Sequence, residues 1–311
     1  MRPKITIVGA GHVGGTTTQR LAEKEVGDIV LVDLVEGVPQ GKSLDMQEAG
    51  PICGFDSKIT GTNGYDETEG SSVCVITAGK ARKPGMNRSD LLANNVKVVT
   101  SVVKELIKRS PEAILLIVTN PLDAIVYSAY KVSGFPRERV IGMAGVLDTS
   151  RFATFVAREL DVSVENVQAT VIGGHSDPIP LARFTTVAGV SITELLPKDG
   201  IDALIKRTIA GGAEIVNLLK TGSAFYAPSA AITDMVTAIL LDKRKILPST
   251  VLCKGEYGLK GVFIGVPAKL GAGGVEGIIE LKLTEEEKGL LHKSAEGVMA
   301  ECKEVDRLIK D

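Results

Sequence analysis

The sequence predicts an α/β fold: a doubly wound parallel sheet followed by a mixed α+β domain. Three observations predict it. Short, continuously apolar runs alternate with amphipathic stretches over residues 1–146. A glycine-rich turn joins the first run to the first helical stretch. The texture then changes near residue 147, where helices come in longer blocks and the β-like runs are linked by Gly and Pro.

The strands of the first domain are read from "KITIVGA" at 4–10, "DIVLVD" at 28–33, "SVCVITAG" at 72–79 and "AILLIVTN" at 113–120, with "VIGM" at 140–143 a weaker fifth. Runs without polar alternation are buried on both faces, as strands of a helix-covered parallel sheet are. Between them "TTTQRLAEKE", "LLANNVKVVTSVVKELIKR" and "DAIVYSAYKVS" carry helical periodicity. In residues 147–311, "LDTSRFATFVARELD" reads as a helix, and "NVQATVIGG" and "RFTTVAGVS" read as strands. Helices are expected at about 200–220 and 228–241, and strands at 249–253 and 261–267. The last helix starts after Thr284, a suitable N-cap followed by three Glu residues.

Bulk properties narrow the function classes. With 311 residues, 44% apolar and 24% charged, the chain can bury a substantial core. A formal charge of −2 gives no reason to expect nucleic acid or an anionic membrane as partner. Cys53, Cys74, Cys253 and Cys302 are far apart and form no CxxC pair, which suits reduced thiols in a cytoplasmic protein; no metal-ligand set is assigned. No apolar run reaches the roughly 18–20 residues of a membrane span.

"VGAGHVGG" places Gly9, Gly11 and Gly14 in the GxGxxG spacing directly between a strand and a helix. The motif alone is weak, but this context is the one a Rossmann dinucleotide site requires. The loop Gly9, Ala10, Gly11, His12, Val13 and Gly14 then offers backbone N–H groups and a helix N-terminus to a diphosphate. Asp33 ends the second run, where a carboxylate can accept the adenosine ribose hydroxyls. It would repel a 2′-phosphate, and no Arg or Lys follows in "DLVEGVPQ", so NAD is expected over NADP.

Candidates for chemistry lie elsewhere. Of three histidines, His292 falls in the charged last helix and is expected to be solvated, and His12 sits at a variable loop position. His175 follows "TVIGG" and precedes "SDPIP", a non-periodic setting suited to acid/base work. "AGKARKPGMNRSD" carries Arg82, Lys83 and Arg88, and "LDTSR" sets Asp148 and Arg151 on one helix face. Taken singly these are a solvated basic loop and an ordinary ion pair. Together they describe a site for a small dianion, since guanidinium forks bind carboxylates and a buried carboxylate orients an imidazole.

The motifs "GAGHVG", "ITAGKARKPGMNRSDLLANN", "IVTNPLDA", "GVLDTSRF" and "GGHSDPIP" occur in this order across residues 5–180. In them the chain resembles the malate/lactate dehydrogenase family, closest to its bacterial lactate-dehydrogenase-like malate dehydrogenases. The resemblance implies His175 as proton donor and acceptor, and Asp148 as the partner of its far nitrogen. It implies Arg151 on the carboxylate beside the reacting carbon, Arg88 on the carbonyl, and Arg82 on the distal carboxylate. Asn95, Val118, Thr119 and Asn120 would border the cofactor, with Asn120 also reaching substrate. Lactate dehydrogenases generally carry an uncharged residue at the position of Arg82, because a guanidinium beside the pyruvate methyl would be desolvated and unpaired. Malate/oxaloacetate is therefore expected over lactate/pyruvate. A lactate or other 2-hydroxy acid dehydrogenase, and more remotely a non-catalytic NAD sensor, are the alternatives. The resemblance also implies a homodimer or homotetramer and a place in the tricarboxylic acid cycle. One stretch departs from the family's usual pattern: in "HSDPIPLAR" Ser176 stands where Gly is usual, Pro178 is extra, and the segment is one residue short.

Overall fold

The computed structural model describes residues 2–80 and 88–310, and of Arg88 only the backbone. The first half builds strands β1 (Lys4–Val8), β2 (Asp28–Val32), β3 (Ile59–Thr62), β4 (Val73–Ile76), β5 (Ile114–Ile117) and β6 (Val140–Gly142). Its helices are α1 (His12–Glu23), α2 (Val38–Glu48), the short α3 (Gly50–Cys53), α4 (Arg88–Arg109) and α5 (Leu122–Ser133). The six strands pair in parallel in the order β3-β2-β1-β4-β5-β6. This is a doubly wound sheet whose order reverses between β1 and β4, and the crevice outside the carboxyl ends of those strands is where such folds hold ligands.

The apolar runs explain the layering. Along β4 and β5 the side chains alternate: Val73, Val75, Ile114 and Leu116 join one core, while Cys74, Ile76, Leu115 and Ile117 join the other. All eight are buried because helices cover both faces.

Residues 145–310 give helices α6 (Gly145–Glu159), α7 (Ile192–Leu195), α8 (Lys198–Leu219), α9 (Tyr226–Leu240) and α10 (Glu285–Lys310). Five two-residue strands lie among them: β7 (Val167–Gln168), β8 (Val171–Ile172), β9 (Ile179–Pro180), β10 (Thr186–Val187) and β11 (Val190–Ser191). The long strands are β12 (Lys245–Lys254) and β13 (Lys260–Gly271), followed by β14 (Gly274–Ile278). They do not form a sheet of their own. Antiparallel to one another, they continue the parallel sheet past β6, giving nine strands in the order β14-β13-β12-β6-β5-β4-β1-β2-β3 among the described residues.

Several sequence expectations change. β3 was not expected, because "ITGT" is short and carries Gly61, whose missing side chain lets α2 press on the strand: a Cβ there would lie 2.2 Å from Pro39 O. β14 is likewise hidden by glycines. "NVQATVIGG" and "RFTTVAGVS" yield only pairs of two-residue strands, the first broken at Ala169 and Thr170 and the second by a turn at Ala188 and Gly189. The apolar faces of α6 and α9 lie in the chain's own core, with Phe152, Val156, Ile232 and Met235 fully buried. His292 is half-buried rather than solvated, its Nε2 2.9 Å from Tyr257 O. Thr284 does cap α10, and reciprocally: Glu287 N–H donates to Thr284 Oγ1 at 3.2 Å while Thr284 N–H donates to Glu287 Oε2 at 2.8 Å, a complete capping box. Cys74, Cys253 and Cys302 are buried free thiols pushed up to about 12 by desolvation, while Cys53 is exposed. Among the described residues no helix is long and apolar enough to cross a membrane.

Candidate active site

The carboxyl ends of β1, β4 and β5 line one crevice. After β1 the chain turns through Gly9 at φ +106°, a conformation that favours glycine. A Cβ on Gly14 would lie 1.8 Å from Gly9 O, so the third glycine is required for the turn to pack on α1. Gly11 has nothing within 4 Å of an added Cβ, which leaves its outer side open to a ligand. The first turn of α1 carries no side-chain cap, so its N–H groups face the crevice unclaimed by one. These features fit a dinucleotide diphosphate.

Asp33 stands one residue past β2 and is half-buried. Its Oδ2 accepts from Ala10 N–H at 2.7 Å and its Oδ1 from Val35 N–H at 3.0 Å, which ties the end of β2 to the glycine loop. Each carboxylate oxygen keeps acceptor capacity for a hydroxyl. His12 is exposed, and its ring stacks on Phe225 at 5.0 Å, where the start of α9 meets the start of α1. The backbone of Val13 accepts from Ser229 Oγ of α9 at 3.3 Å.

On the other side of the crevice, Val118, Thr119 and Asn120 follow β5. Asn120 is exposed at the rim, and a cis bond joins it to Pro121, which caps α5. Asn95 of α4 is buried and braces this rim from behind. Its Nδ2 donates to Asn120 O at 2.7 Å, and its Oδ1 accepts from Lys80 N–H at 2.7 Å. Thr119 Oγ1 donates to Ala78 O at 2.7 Å, joining the same two segments.

The reacting end is built by α6 and the turn after β8. Asp148, in the first turn of α6, is only 2% exposed. Its Oδ2 lies 3.0 Å from Nδ1 of His175, and its Oδ1 accepts from Nη1 of Arg151 at 3.0 Å. An ionised carboxylate only accepts, so Nδ1 carries the proton of this bond and Nε2 is left to exchange one with a ligand. Burial alone would pull the His175 pKa down. The Asp148 carboxylate outweighs it, Asp123 adds to the rise, Arg151 offsets part of it, and the imidazolium is favoured beyond its usual range. Arg151 is mostly buried, and its Nε has no hydrogen-bond partner among the described residues. Its side chain rests on Gly211 and Gly212 of α8. Arg82 and Lys83 lie outside the described residues, as does the side chain of Arg88, which opens α4.

The altered stretch after His175 is held by one local bond and by Ser294 of α10. Asp177 N–H donates to Gly174 O at 3.1 Å, Gly174 N–H to Ser294 Oγ at 2.9 Å, and Ser294 Oγ–H to Asp177 Oδ1 at 2.9 Å. His175 therefore reaches Asp148 despite the shorter segment.

Pattern reading missed four residues of this architecture: Lys42, Thr77, Asp123 and Ser294. Lys42 Nζ donates to Ala10 O at 2.6 Å, bringing a cation of α2 against the glycine loop. Thr77 Oγ1 donates to the carbonyls of Val8 and Gly9, each at 3.1 Å. Only Asp123 had a signal, since an Asp in the apolar start of α5 must find a partner.

Comparison with known proteins agrees with this architecture. Residues 3–142 match the lactate/malate dehydrogenase NAD-binding domain, and residues 145–308 match the lactate/malate dehydrogenase alpha/beta C-terminal domain. The chain belongs to the lactate/malate dehydrogenase family. Curated family members include the malate dehydrogenase of Chloroherpeton thalassium, 54% identical over 99% of this chain and 100% of that protein, and that of Bacillus subtilis, 53% identical over 96% of each. Among solved family structures, the apo malate dehydrogenase of Picrophilus torridus superposes with a TM-score of 0.97 at 45% identity, covering 100% of this chain and 99% of that one. The lactate dehydrogenase of Cryptosporidium parvum, complexed with lactic acid and nicotinamide adenine dinucleotide, reaches 0.95 at 40% identity over 98% of each chain. The fold thus serves both members of the family, and fold alone does not choose between their substrates.

Proposed function

We propose that this chain is an NAD-dependent malate dehydrogenase, interconverting (S)-malate and oxaloacetate. The observation that carries the proposal is the buried Asp148 joined at once to His175 and Arg151. It sets a proton carrier beside a carboxylate-binding guanidinium, the pair a 2-hydroxy acid requires. The curated malate dehydrogenases of Chloroherpeton thalassium and Bacillus subtilis, more than half identical to it over nearly their whole length, support the choice of substrate.

When bound, the nicotinamide supplies or accepts the hydride at the carbon that bears the oxygen. Residues Gly9 to Gly14 would hold the diphosphate and Asp33 the ribose; Asn95, Val118, Thr119 and Asn120 would form the opposite wall. In reduction His175 Nε2 gives its proton to the keto oxygen of oxaloacetate, while Asp148 stabilises the imidazolium beforehand and keeps the ring's orientation afterwards. In oxidation the neutral ring takes the hydroxyl proton of malate. Arg151 grips the carboxylate next to the reacting carbon, Arg88 polarises the carbonyl, and Arg82 pairs with the distal carboxylate. Residues 1–146 would serve the cofactor and 147–311 the substrate. A cytoplasmic homodimer or homotetramer is part of the same proposal.

Steady-state NADH and NADPH oxidation with oxaloacetate and with pyruvate tests it. Oxaloacetate with NADH should give the highest kcat/KM by orders of magnitude, and a pyruvate preference overturns the proposal. Arg82→Gln should cut turnover of oxaloacetate far more than that of pyruvate; equal losses would mean that Arg82 does not read the substrate.

A further inference from the structure

His175 is held by two buried carboxylates, and the second is Asp123. It lies in the first turn of α5, three residues past Asn120, and is 3% exposed. Its Oδ2 accepts from the backbone N–H of His175 at 2.9 Å. Its Oδ1 accepts from Thr250 Oγ1 at 2.9 Å, and Thr250 is fully buried on β12 where that strand pairs with Gly142 of β6. One carboxylate therefore ties the acid/base turn to the start of α5 and to the strand that extends the sheet. Burial raises the Asp123 carboxyl above its usual range, while the His175 N–H, the imidazolium and the Thr250 hydroxyl oppose that rise and favour the ionised form.

We propose that Asp123 is a positioning residue of the proton relay, setting the place of His175 through its backbone amide and holding a second negative charge near it. Asp148 acts on Nδ1 from the α6 side, and Asp123 acts on the main chain from the α5 side. The other charged or titratable groups around the pair are Arg151 on α6, Asp177 in the same turn and the buried Cys302 thiol on α10. A cation on His175 is thus flanked by Asp148 and Asp123, with Arg151 the opposing charge. A purely structural role is the competing account, because a carboxylate near the start of a helix is favourable in itself. That role would leave the titration of His175 where it is.

The proposal rests on His175 being the proton carrier, and its test does not need turnover. The ring titration of His175 is followed by proton NMR, its signal assigned by loss in His175→Asn. In Asp123→Asn one oxygen remains to accept from the His175 N–H, while the charge is gone. Removing a nearby negative charge disfavours the imidazolium, so the midpoint should fall by about half a pH unit or more. The pH limb of kcat/KM for oxaloacetate should move with it, at unchanged NADH affinity. A curve superimposed on that of the wild type overturns the proposal. If Asp123→Asn does not fold, Thr250→Val decides. Losing the hydroxyl donor disfavours the carboxylate, so the midpoint should move the same way by a smaller amount, and no movement overturns the proposal. Absence of oxaloacetate turnover in the wild-type protein would instead refute the dehydrogenase reading, with the NMR result standing apart from it.

Discussion

Nδ1 of His175 lies 3.0 Å from Oδ2 of Asp148, a carboxylate 2% exposed whose other oxygen accepts from Arg151 at 3.0 Å. His175 and Arg151, the proposed proton carrier and carboxylate-binding cation, are therefore oriented by the same group. Positioned acid/base groups contribute about 10²–10⁴-fold. His175→Asn should lower kcat by that order, with the NADH dissociation constant unchanged by fluorescence titration. Asp148→Asn should lower kcat and also raise KM for oxaloacetate, because it loosens both partners. A kcat effect without a KM effect would show that Arg151 does not depend on Asp148.

The direction of the His175 shift fixes the pH dependence. Asp148 holds the imidazolium to higher pH than the ordinary 6.5. Reduction of oxaloacetate needs the charged ring, so kcat/KM should be flat at low pH and fall as pH rises through the raised pKa. Malate oxidation needs the neutral ring and should rise through the same value. Asp148→Asn should move both limbs toward acid. The linked stability follows the same sign: the folded-state pKa is raised, so the contribution is fully present below about 6.5 and is lost as pH rises through the folded value. Rate profiles and thermal melts across this window check both statements.

The glycine loop and Asp33 were legible because their spacing is dictated locally: a tight turn, a helix start and a strand end lie within one βαβ unit. The His175, Asp148 and Arg151 set was legible from residue chemistry and family resemblance, although His175 lies 27 positions from Asp148. Other contacts were not. Lys42 reaches Ala10 across 32 positions and Thr250 reaches Asp123 across 127, and neither has a local pattern to announce it. The join of β12 to β6 was hidden for the same reason. Strand periodicity shows that a run is buried, but not which sheet buries it.

Gly211 and Gly212 sit inside α8, where each Gly costs roughly 0.5–1 kcal/mol relative to Ala. Their packing supplies a reason. A Cβ at Gly211 would lie 3.3 Å from Arg151 Cδ, and one at Gly212 would lie 3.6 Å from Nη2. Gly211→Ala should therefore shift the Arg151 side chain by a few tenths of an ångström and raise KM for oxaloacetate. The melting temperature should hold or rise, because the helix gains propensity. Lower stability with unchanged KM would mean that the pair serves packing alone.

Lys42 places its ammonium 2.6 Å from Ala10 O, and Ala10 N–H donates to Asp33 at 2.7 Å. One residue of the glycine loop is thus gripped at both of its peptide groups, its carbonyl by a cation from α2 and its N–H by the carboxylate after β2. Lys42→Met keeps the aliphatic stem and removes the donor and the charge. A charge-assisted hydrogen bond contributes about 1.5–3 kcal/mol, much of which serves to hold the loop in its binding shape. NADH affinity should fall roughly ten-fold, with kcat at saturating NADH within a factor of two of wild type. The loss should shrink in high salt if the ammonium also attracts the diphosphate through solvent. Isothermal titration at two ionic strengths separates the roles: a salt-independent loss assigns Lys42 to loop geometry, and unchanged affinity removes it from the cofactor site.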